Sequence, residues 1–151
     1  YIRVINEALR DRPANMAVTI HTCRGNFKST WMASGGYEPV AEALLSELDV
    51  DGYFLEYDTE RAGGFEPLRF LAKGKKVVLG LVTSKSPELE SADLLRRRID
   101  EAARFVPRGN LCLSPQCGFS STHHGNALTE ADQWAKLARV VGVAETLKRH
   151  A

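Results

Sequence analysis

The sequence lacks any apolar run close to the roughly 20 residues that a membrane-spanning helix needs. It also lacks a basic stretch followed by an apolar one at its N-terminal end, the pattern of a secretory signal peptide. Neither sign of charge is in excess, because 20 basic and 19 acidic residues leave a formal net charge of +1. This balance gives no basis for binding nucleic acid or an anionic membrane. We therefore expect a cytoplasmic protein that binds neither.

Cysteine is scarce, and its pattern argues against two common uses. The three cysteines, Cys23, Cys112 and Cys117, are an odd number, which argues against a disulfide framework. No two of them form a CxxC redox motif. Metal binding or thiol chemistry is therefore favoured. The 151 residues, 44% hydrophobic and 26% charged, predict one globular unit over residues 1–151.

Hydrophobic patterning predicts an α/β fold. Apolar and β-branched stretches predict four strands, at residues 16–23, 52–57, 76–82 and 111–114. Helices are predicted at residues 1–10, 38–48, 66–72 and 92–105, and from a capping box at Thr129 and Asp132 to residue 148. Strands that alternate with helices form a parallel sheet, so the four long loops after the strands leave the same edge.

The third predicted strand, KVVLGLV, is almost continuously apolar, as is typical of a strand covered on both faces. Five residues are predicted to be buried strand positions: Val77, Val78, Leu79, Leu81 and Leu111. Cys112 lies within the fourth predicted strand, where we interpret it as a small buried hydrophobic residue.

Four potential metal ligands occur at the carboxyl ends of the predicted strands. His21 and Cys23 are two apart and point the same way at the end of the first strand. Glu56 ends the second strand, and Cys117 follows the fourth. Two thiolates, an imidazole and a carboxylate suit tetrahedral zinc, at the edge where parallel sheets bind ligands.

Each of these residues also has a structural interpretation. His21 is equally compatible with a hydrogen-bonded core histidine, and Cys23 and Cys117 with buried apolar residues. Glu56 is compatible with an exposed strand end or with an ion pair to Arg24 or Arg61. The adjacent His123 and His124, in a polar loop, are interpreted as exposed to solvent.

Three motifs resemble one known family over essentially the whole chain. HTCRGN at residues 21–26, FLEYDTERAG at 54–63 and LSPQCGFSS at 113–121 resemble the C-terminal catalytic barrel of cobalamin-independent methionine synthase. The short, single-barrel bacterial relatives, often called 5-methyltetrahydropteroyltriglutamate–homocysteine methyltransferases, are the most similar. The resemblance implies a (β/α)8 barrel related to uroporphyrinogen decarboxylase, with zinc held by His21, Cys23, Glu56 and Cys117.

The activity that the resemblance implies is methyl transfer to a thiol. Zinc lowers the pKa of a bound homocysteine thiol, and the resulting thiolate attacks a methyl group on N5 of a folate. Methionine synthases have a histidine, proposed to protonate the departing folate amine, where alignment on Ser-Pro places Lys85. Lys85 is therefore a candidate proton donor, and an exposed or anion-pairing lysine is the alternative interpretation. A corrinoid or another methyl compound is an alternative to the folate as methyl donor.

The resemblance covers only half a barrel. Such barrels need about 250 residues, and four of the eight strands are present. The chain is thus expected to be the C-terminal half, completed by a missing N-terminal half or by self-association. In the family, residues of the missing half hold most of the amino-acid part of homocysteine.

Three functions remain open at this stage. The first is a zinc-dependent methyltransferase. The second is a non-catalytic half-barrel assembly module whose zinc, if bound, is structural. The third, a redox role for Cys23 and Cys117, is the least favoured because no CxxC motif is present.

Overall fold

The computed structural model describes residues 1–120 and 122–148 and is built around one parallel sheet. The four strands lie side by side in chain order. They are β1 (Thr19–Thr22), β2 (Gly52–Glu56), β3 (Lys76–Val82) and β4 (Leu111–Pro115). Parallel pairing of consecutive strands is the arrangement within a (β/α)8 barrel, and it confirms the predicted fold class.

Within the part of the chain that the structure describes, three α-helices accompany the sheet: α1 (Ile2–Ala8), α2 (Ala92–Ala102) and α3 (Glu130–Lys148). Helix α3 begins after the predicted capping box, in which Thr129 Oγ1 accepts from the Asp132 N–H at 3.2 Å and Asp132 Oδ2 accepts from the Thr129 N–H at 2.8 Å. None of the helices within the described residues is long and apolar enough to cross a membrane.

The prediction of one α-helix over residues 38–48 is wrong, because the segment forms other kinds of helix. A 3₁₀ turn at Glu38–Val40 and a π-helix at Ala43–Glu47 take its place. Leu45 and Leu48 are nevertheless fully buried, so this segment still packs two leucines into the core, whereas Val40, which was expected to face inward, is 54% exposed. The helix predicted at residues 66–72 is likewise a 3₁₀ helix, Glu66–Phe70, with a proline in its first turn.

Strand β1 is half the length predicted from residues 16–23. The backbone of Val18 pairs with Asp51, whose side chain accepts from the Val18 N–H at 2.7 Å and whose own N–H donates to the Val18 oxygen at 2.7 Å. A carboxylate thus replaces a strand partner at that point. His21 remains inside the strand, and Cys23 follows its last residue.

The face of the sheet that packs against the helices holds the core. Val77, Leu79 and Leu81 are buried there, as predicted. Leu111 is only partly buried, because β4 is an edge strand of the sheet. Val78 is also only partly buried, because its side chain lies on the opposite face. The prediction of burial is therefore wrong for these two residues.

That opposite face is apolar and open. His21, Phe54, Val78 and Cys112 lie in register across the four strands. Phe54 is 36% exposed, and Cys112 is exposed rather than buried, which corrects its interpretation. In a closed barrel this row would face the interior.

Candidate metal centre

The sheet brings the four candidate ligands to one point at its carboxyl edge. His21 lies in β1, Cys23 directly follows β1, and Glu56 is the last residue of β2. Cys117 lies two residues beyond β4. One ligand atom from each residue lies within 4.8 Å of the others. Residues separated by 94 positions in the chain thus share one small volume.

The distances fit a tetrahedral ion. The sulfurs of Cys23 and Cys117 are 3.9 Å apart, and two bonds of about 2.3 Å at the tetrahedral angle would place them about 3.8 Å apart. His21 Nε2 lies 3.7 Å from Glu56 Oε1. The donor set of two sulfurs, one nitrogen and one oxygen is one that zinc accepts.

Glu56 is the most informative of the four. Its side chain is 1% exposed, and a buried carboxylate needs compensation for its lost hydration. Two N–H groups supply part of it: the Arg24 backbone to Oε2 and Gln116 Nε2 to Oε1, each at 3.2 Å. Within residues 1–120 and 122–148, no lysine or arginine side chain pairs with this carboxylate. A bound cation would supply the missing charge.

Arg24 fixes the loop that follows β1. Its guanidinium lies over the Tyr37 ring at 4.1 Å and donates to the Tyr37 hydroxyl at 2.9 Å and to the Glu56 main-chain oxygen at 3.0 Å. Arg24 therefore does not pair with the Glu56 carboxylate as the structural interpretation proposed, and Arg61 instead stacks on Trp31 at 4.5 Å. The loop is anchored while the carboxylate stays available.

The electrostatics of the thiols also favour a cation. Burial raises the pKa of the Cys23 thiol, and the neighbouring charges of Cys117 and Glu56 raise it further. Hydrogen bonds from the Gly25 N–H, at 3.2 Å, and from His21 act in the opposite direction. A cation between the two sulfurs would offset the repulsion and favour the thiolates.

Sequence reasoning missed Gln116. It is 1% exposed, and its Oε1 accepts from the Ser84 N–H at 3.2 Å and from the Ser84 hydroxyl at 2.9 Å. Its Nε2 holds Glu56 as described above. The residue lies inside the quoted SPQCG motif, next to Cys117, and that adjacency was the available signal.

The remaining candidates lie near the same edge. Lys85 is 6% exposed, and its Nζ lies 5.6 Å from the centre of the Trp31 ring. It is not one of the four residues that converge on the metal position. His123 and His124 are exposed, as predicted, and stack on one another, with His124 edge-on to Phe27.

Comparison with known proteins identifies the family. The sequence pattern of the cobalamin-independent synthase catalytic domain matches residues 8–145. The chain belongs to this family. The expected resemblance is thereby confirmed.

Two individual proteins are similar to this chain over nearly its whole length. The uncharacterized protein YxjH of Bacillus subtilis (strain 168) is 56% identical over 150 residues, which are 99% of this chain and 40% of the relative. The crystal structure of the putative vitamin-B12 independent methionine synthase from Listeria monocytogenes is 41% identical, with a TM-score of 0.75, covering 97% of this chain and 40% of that one.

A second solved structure shares the fold. It is a B12-independent methionine synthase from Shewanella sp. W3-18-1 in complex with selenomethionine, with a TM-score of 0.77 and 22% identity, covering 99% of this chain and 43% of that one. The chain thus spans about two fifths of the length of the relatives that it matches.

Proposed function

We propose that the protein transfers a methyl group to a thiol in a zinc-dependent reaction, converting homocysteine to methionine with a methyltetrahydrofolate-type donor. One observation carries the proposal. The ligand atoms of His21, Cys23, Glu56 and Cys117 converge within 4.8 Å at the edge where parallel sheets bind ligands. Membership of the synthase family supports methyl transfer as the reaction class.

The four residues would hold zinc, which supplies Lewis acidity that makes a bound thiol a thiolate near neutral pH. Cys23 and Cys117 contribute negative charge, which keeps the electron density on an incoming sulfur high. Gln116 and the Arg24 backbone hold the Glu56 carboxylate in one orientation through two N–H groups. These contacts keep the charge of Glu56 compensated if its bond to the ion weakens when a thiol arrives.

Lys85 is the residue that we propose as the proton donor to the methyl donor's leaving nitrogen. The side chain is nine-tenths buried, and within the described part of the chain its Nζ has no hydrogen-bond acceptor. Its proton is therefore not shared with another side chain. When the carbon–nitrogen bond breaks, the nitrogen keeps the electron pair and takes this proton.

The open face of the sheet implies a larger assembly. Phe54, Val78 and Cys112 form an uncovered surface that a closed barrel would bury. The relatives are about two and a half times as long as the matched segment. We propose that an N-terminal half-barrel, or a second copy of this chain, covers this face and completes the binding site for the amino-acid part of homocysteine.

The same open face favours the second candidate, a half-barrel assembly module with structural zinc. The two functions differ in whether the metal accepts an added thiol, because structural zinc sites are closed and catalytic ones keep an open position.

The test is methionine formation in the assembly that the protein forms in solution. Homocysteine and 5-methyltetrahydropteroyltriglutamate are supplied to metal-free and zinc-loaded protein, and methionine is measured by mass spectrometry. We expect turnover only with zinc, and its loss on chelation. Zinc-loaded protein that forms no methionine and binds no homocysteine would favour the assembly module. Equal turnover with and without zinc would contradict the metal-dependent mechanism.

A further inference from the structure

The pairing of β1 with β2 ends where the candidate ligands begin. Thr22 and Leu55 are the last paired residues of the two strands, and the residues that follow them are Cys23 and Glu56. Both of these are candidate metal ligands. Beyond this point the register of the sheet no longer fixes the distance between the two strand ends, so other contacts have to do so.

The hydroxyl of Tyr37 lies between these strand ends. It accepts hydrogen bonds from the Glu56 N–H at 2.8 Å and from Arg24 Nη1 at 2.9 Å. It donates to the Glu56 main-chain oxygen at 3.4 Å, and the Thr22 hydroxyl lies 3.3 Å away. One phenol oxygen thus contacts Glu56 itself and the residues on either side of Cys23.

Tyr37 makes these contacts from the face of the sheet opposite the ligands. Neighbouring side chains of a strand alternate between its faces, so Thr22 points away from His21 and Cys23. A tyrosine hydroxyl has one proton and two lone pairs, and the bonds to Glu56 and Arg24 use all of them. Tyr37 is therefore placed to position the ligands rather than to contact the ion or a substrate.

The position of Tyr37 is itself fixed by packing and by the backbone. Its side chain is buried, its ring centre lies 5.3 Å from that of Tyr57, and the Arg24 guanidinium lies 4.1 Å from its centre. Two residues earlier, the Gly35 N–H donates to the Arg61 oxygen at 3.0 Å. The hydroxyl is thus held in place independently of its bonds to the strand ends.

We infer that the Tyr37 hydroxyl holds the ends of β1 and β2 at the spacing that the metal ligands require, and so determines the affinity and the coordination geometry of the bound ion. This inference rests on the proposed function, in which the ion is zinc. Tetrahedral zinc requires its four ligand atoms at defined positions. Without the hydroxyl, the Glu56 N–H and Arg24 each lose an acceptor, and the two strand ends can move apart.

The test is Tyr37→Phe, which removes the hydroxyl and keeps the ring. The matched control is Tyr57→Phe, because the two rings are neighbours, whereas the buried Tyr57 hydroxyl has no hydrogen-bond partner among residues 1–120 and 122–148. Competition with a chromophoric chelator measures zinc affinity. We expect Tyr37→Phe to weaken zinc binding by about 10-fold or more, as is usual when support of a metal ligand is lost. Tyr57→Phe should bind zinc as the parent does.

Two further measurements separate positioning of the ligands from a general loss of stability. Urea unfolding of the metal-free protein reports the stability of the fold alone. Cobalt(II) bound in place of zinc has a visible spectrum that depends on its coordination geometry, and we expect Tyr37→Phe to change this spectrum and Tyr57→Phe to leave it unchanged. A lower urea midpoint for Tyr37→Phe, with zinc affinity and cobalt spectrum equal to those of Tyr57→Phe, would overturn the inference.

Arg24→Gln is the second variant, which decides the matter if Tyr37→Phe does not fold. It removes the guanidinium that bonds to both the Tyr37 hydroxyl and the Glu56 main-chain oxygen. It should weaken zinc binding, whereas Arg61→Gln, at an arginine that stacks on Trp31, should not. Equal zinc affinities of these two variants would contradict the inference.

The inference and the proposed function can fail separately. Weaker zinc binding by Tyr37→Phe, in a protein whose parent forms no methionine, would reject the proposed function and leave Tyr37 as a positioning residue. Zinc-dependent methyl transfer by the parent, with unchanged zinc affinity in Tyr37→Phe, would do the reverse.

Discussion

Gln116 donates a hydrogen bond from Nε2 to Oε1 of Glu56 over 3.2 Å, with both side chains 1% exposed. The contact fixes the orientation of the one carboxylate in the metal centre. Gln116, which directly follows β4, thus orients a metal ligand that lies 60 positions earlier in the chain.

We expect Gln116→Leu to weaken zinc binding by about 10- to 100-fold, the usual effect of losing a hydrogen bond to a metal ligand. Competition with a chromophoric chelator measures the affinity. Gln133→Leu on α3 is the matched control and should bind zinc as the parent does. Equal affinities of the two variants would show that Gln116 does not position Glu56.

Gly80 permits the close approach of β3 to the residue after β4. A Cβ atom at this position would lie 2.8 Å from Gln116 Cα and 3.0 Å from the Leu55 oxygen, both backbone atoms. Gly80→Ala should therefore lower the free energy of unfolding by about 1–3 kcal/mol and weaken metal binding, because the strands must separate.

The control for this prediction is Gly109→Ala, where a Cβ atom meets nothing within 4 Å. Urea denaturation measures both variants. If Gly80→Ala were as stable as Gly109→Ala, the close packing at the metal centre would not matter for stability.

Lys85→Met should slow methyl transfer from a folate by about 100-fold or more, the contribution of a positioned proton donor. Zinc content should not change, since Lys85 is not among the converging ligands. Single-turnover rates of methionine formation provide the measurement, with the exposed Lys73→Met as control. An unchanged rate in Lys85→Met would remove this residue from the reaction.

The free energy of unfolding should fall at alkaline pH because of the buried Tyr53. Burial beneath the sheet raises its pKa to about 12, compared with about 10 in the unfolded chain. The folded state therefore keeps the proton to higher pH. The stabilising contribution is complete below about pH 10 and is lost as the pH rises towards about 12.

Urea unfolding across this range measures the effect. Tyr53→Phe should make the decline with pH shallower, while Tyr57, whose pKa is also raised by burial, continues to contribute. The exposed Tyr1→Phe should decline as the parent does. Identical slopes for Tyr53→Phe and the parent would contradict the assignment.

Local patterning predicted the strands well and the irregular elements poorly. The apolar run of β3 predicted its bounds, because a short, almost continuously apolar segment is typical of a strand in a parallel sheet. The π-helix at Ala43–Glu47 carries the same inward leucines as an α-helix. Its different hydrogen bonding depends on packing, so no sequence period reveals it.

Local patterning also predicted part of the candidate site. Side chains alternate between the two faces of a strand, so His21 and Cys23 were expected on the same face. Glu56 and Cys117 were expected at the same edge of the sheet, because each lies at or after the carboxyl end of its strand. The exposure of Cys112 was not predictable from its strand alone, because it depends on which face of the sheet the helices cover. The roles of Gln116 and Ser84 depend on contacts between two loops, which no local pattern encodes.

The central claim is that the four converging residues hold a zinc ion that accepts a substrate thiol. Zinc content and zinc-edge X-ray absorption, with and without homocysteine, test it most directly on the parent and on Cys23→Ser, Cys117→Ser and Cys112→Ser. We predict one zinc per chain, lost in the first two variants and kept in Cys112→Ser, with one further sulfur ligand when homocysteine is added. Absence of stoichiometric zinc, or a zinc coordination shell that homocysteine leaves unchanged, would contradict the account.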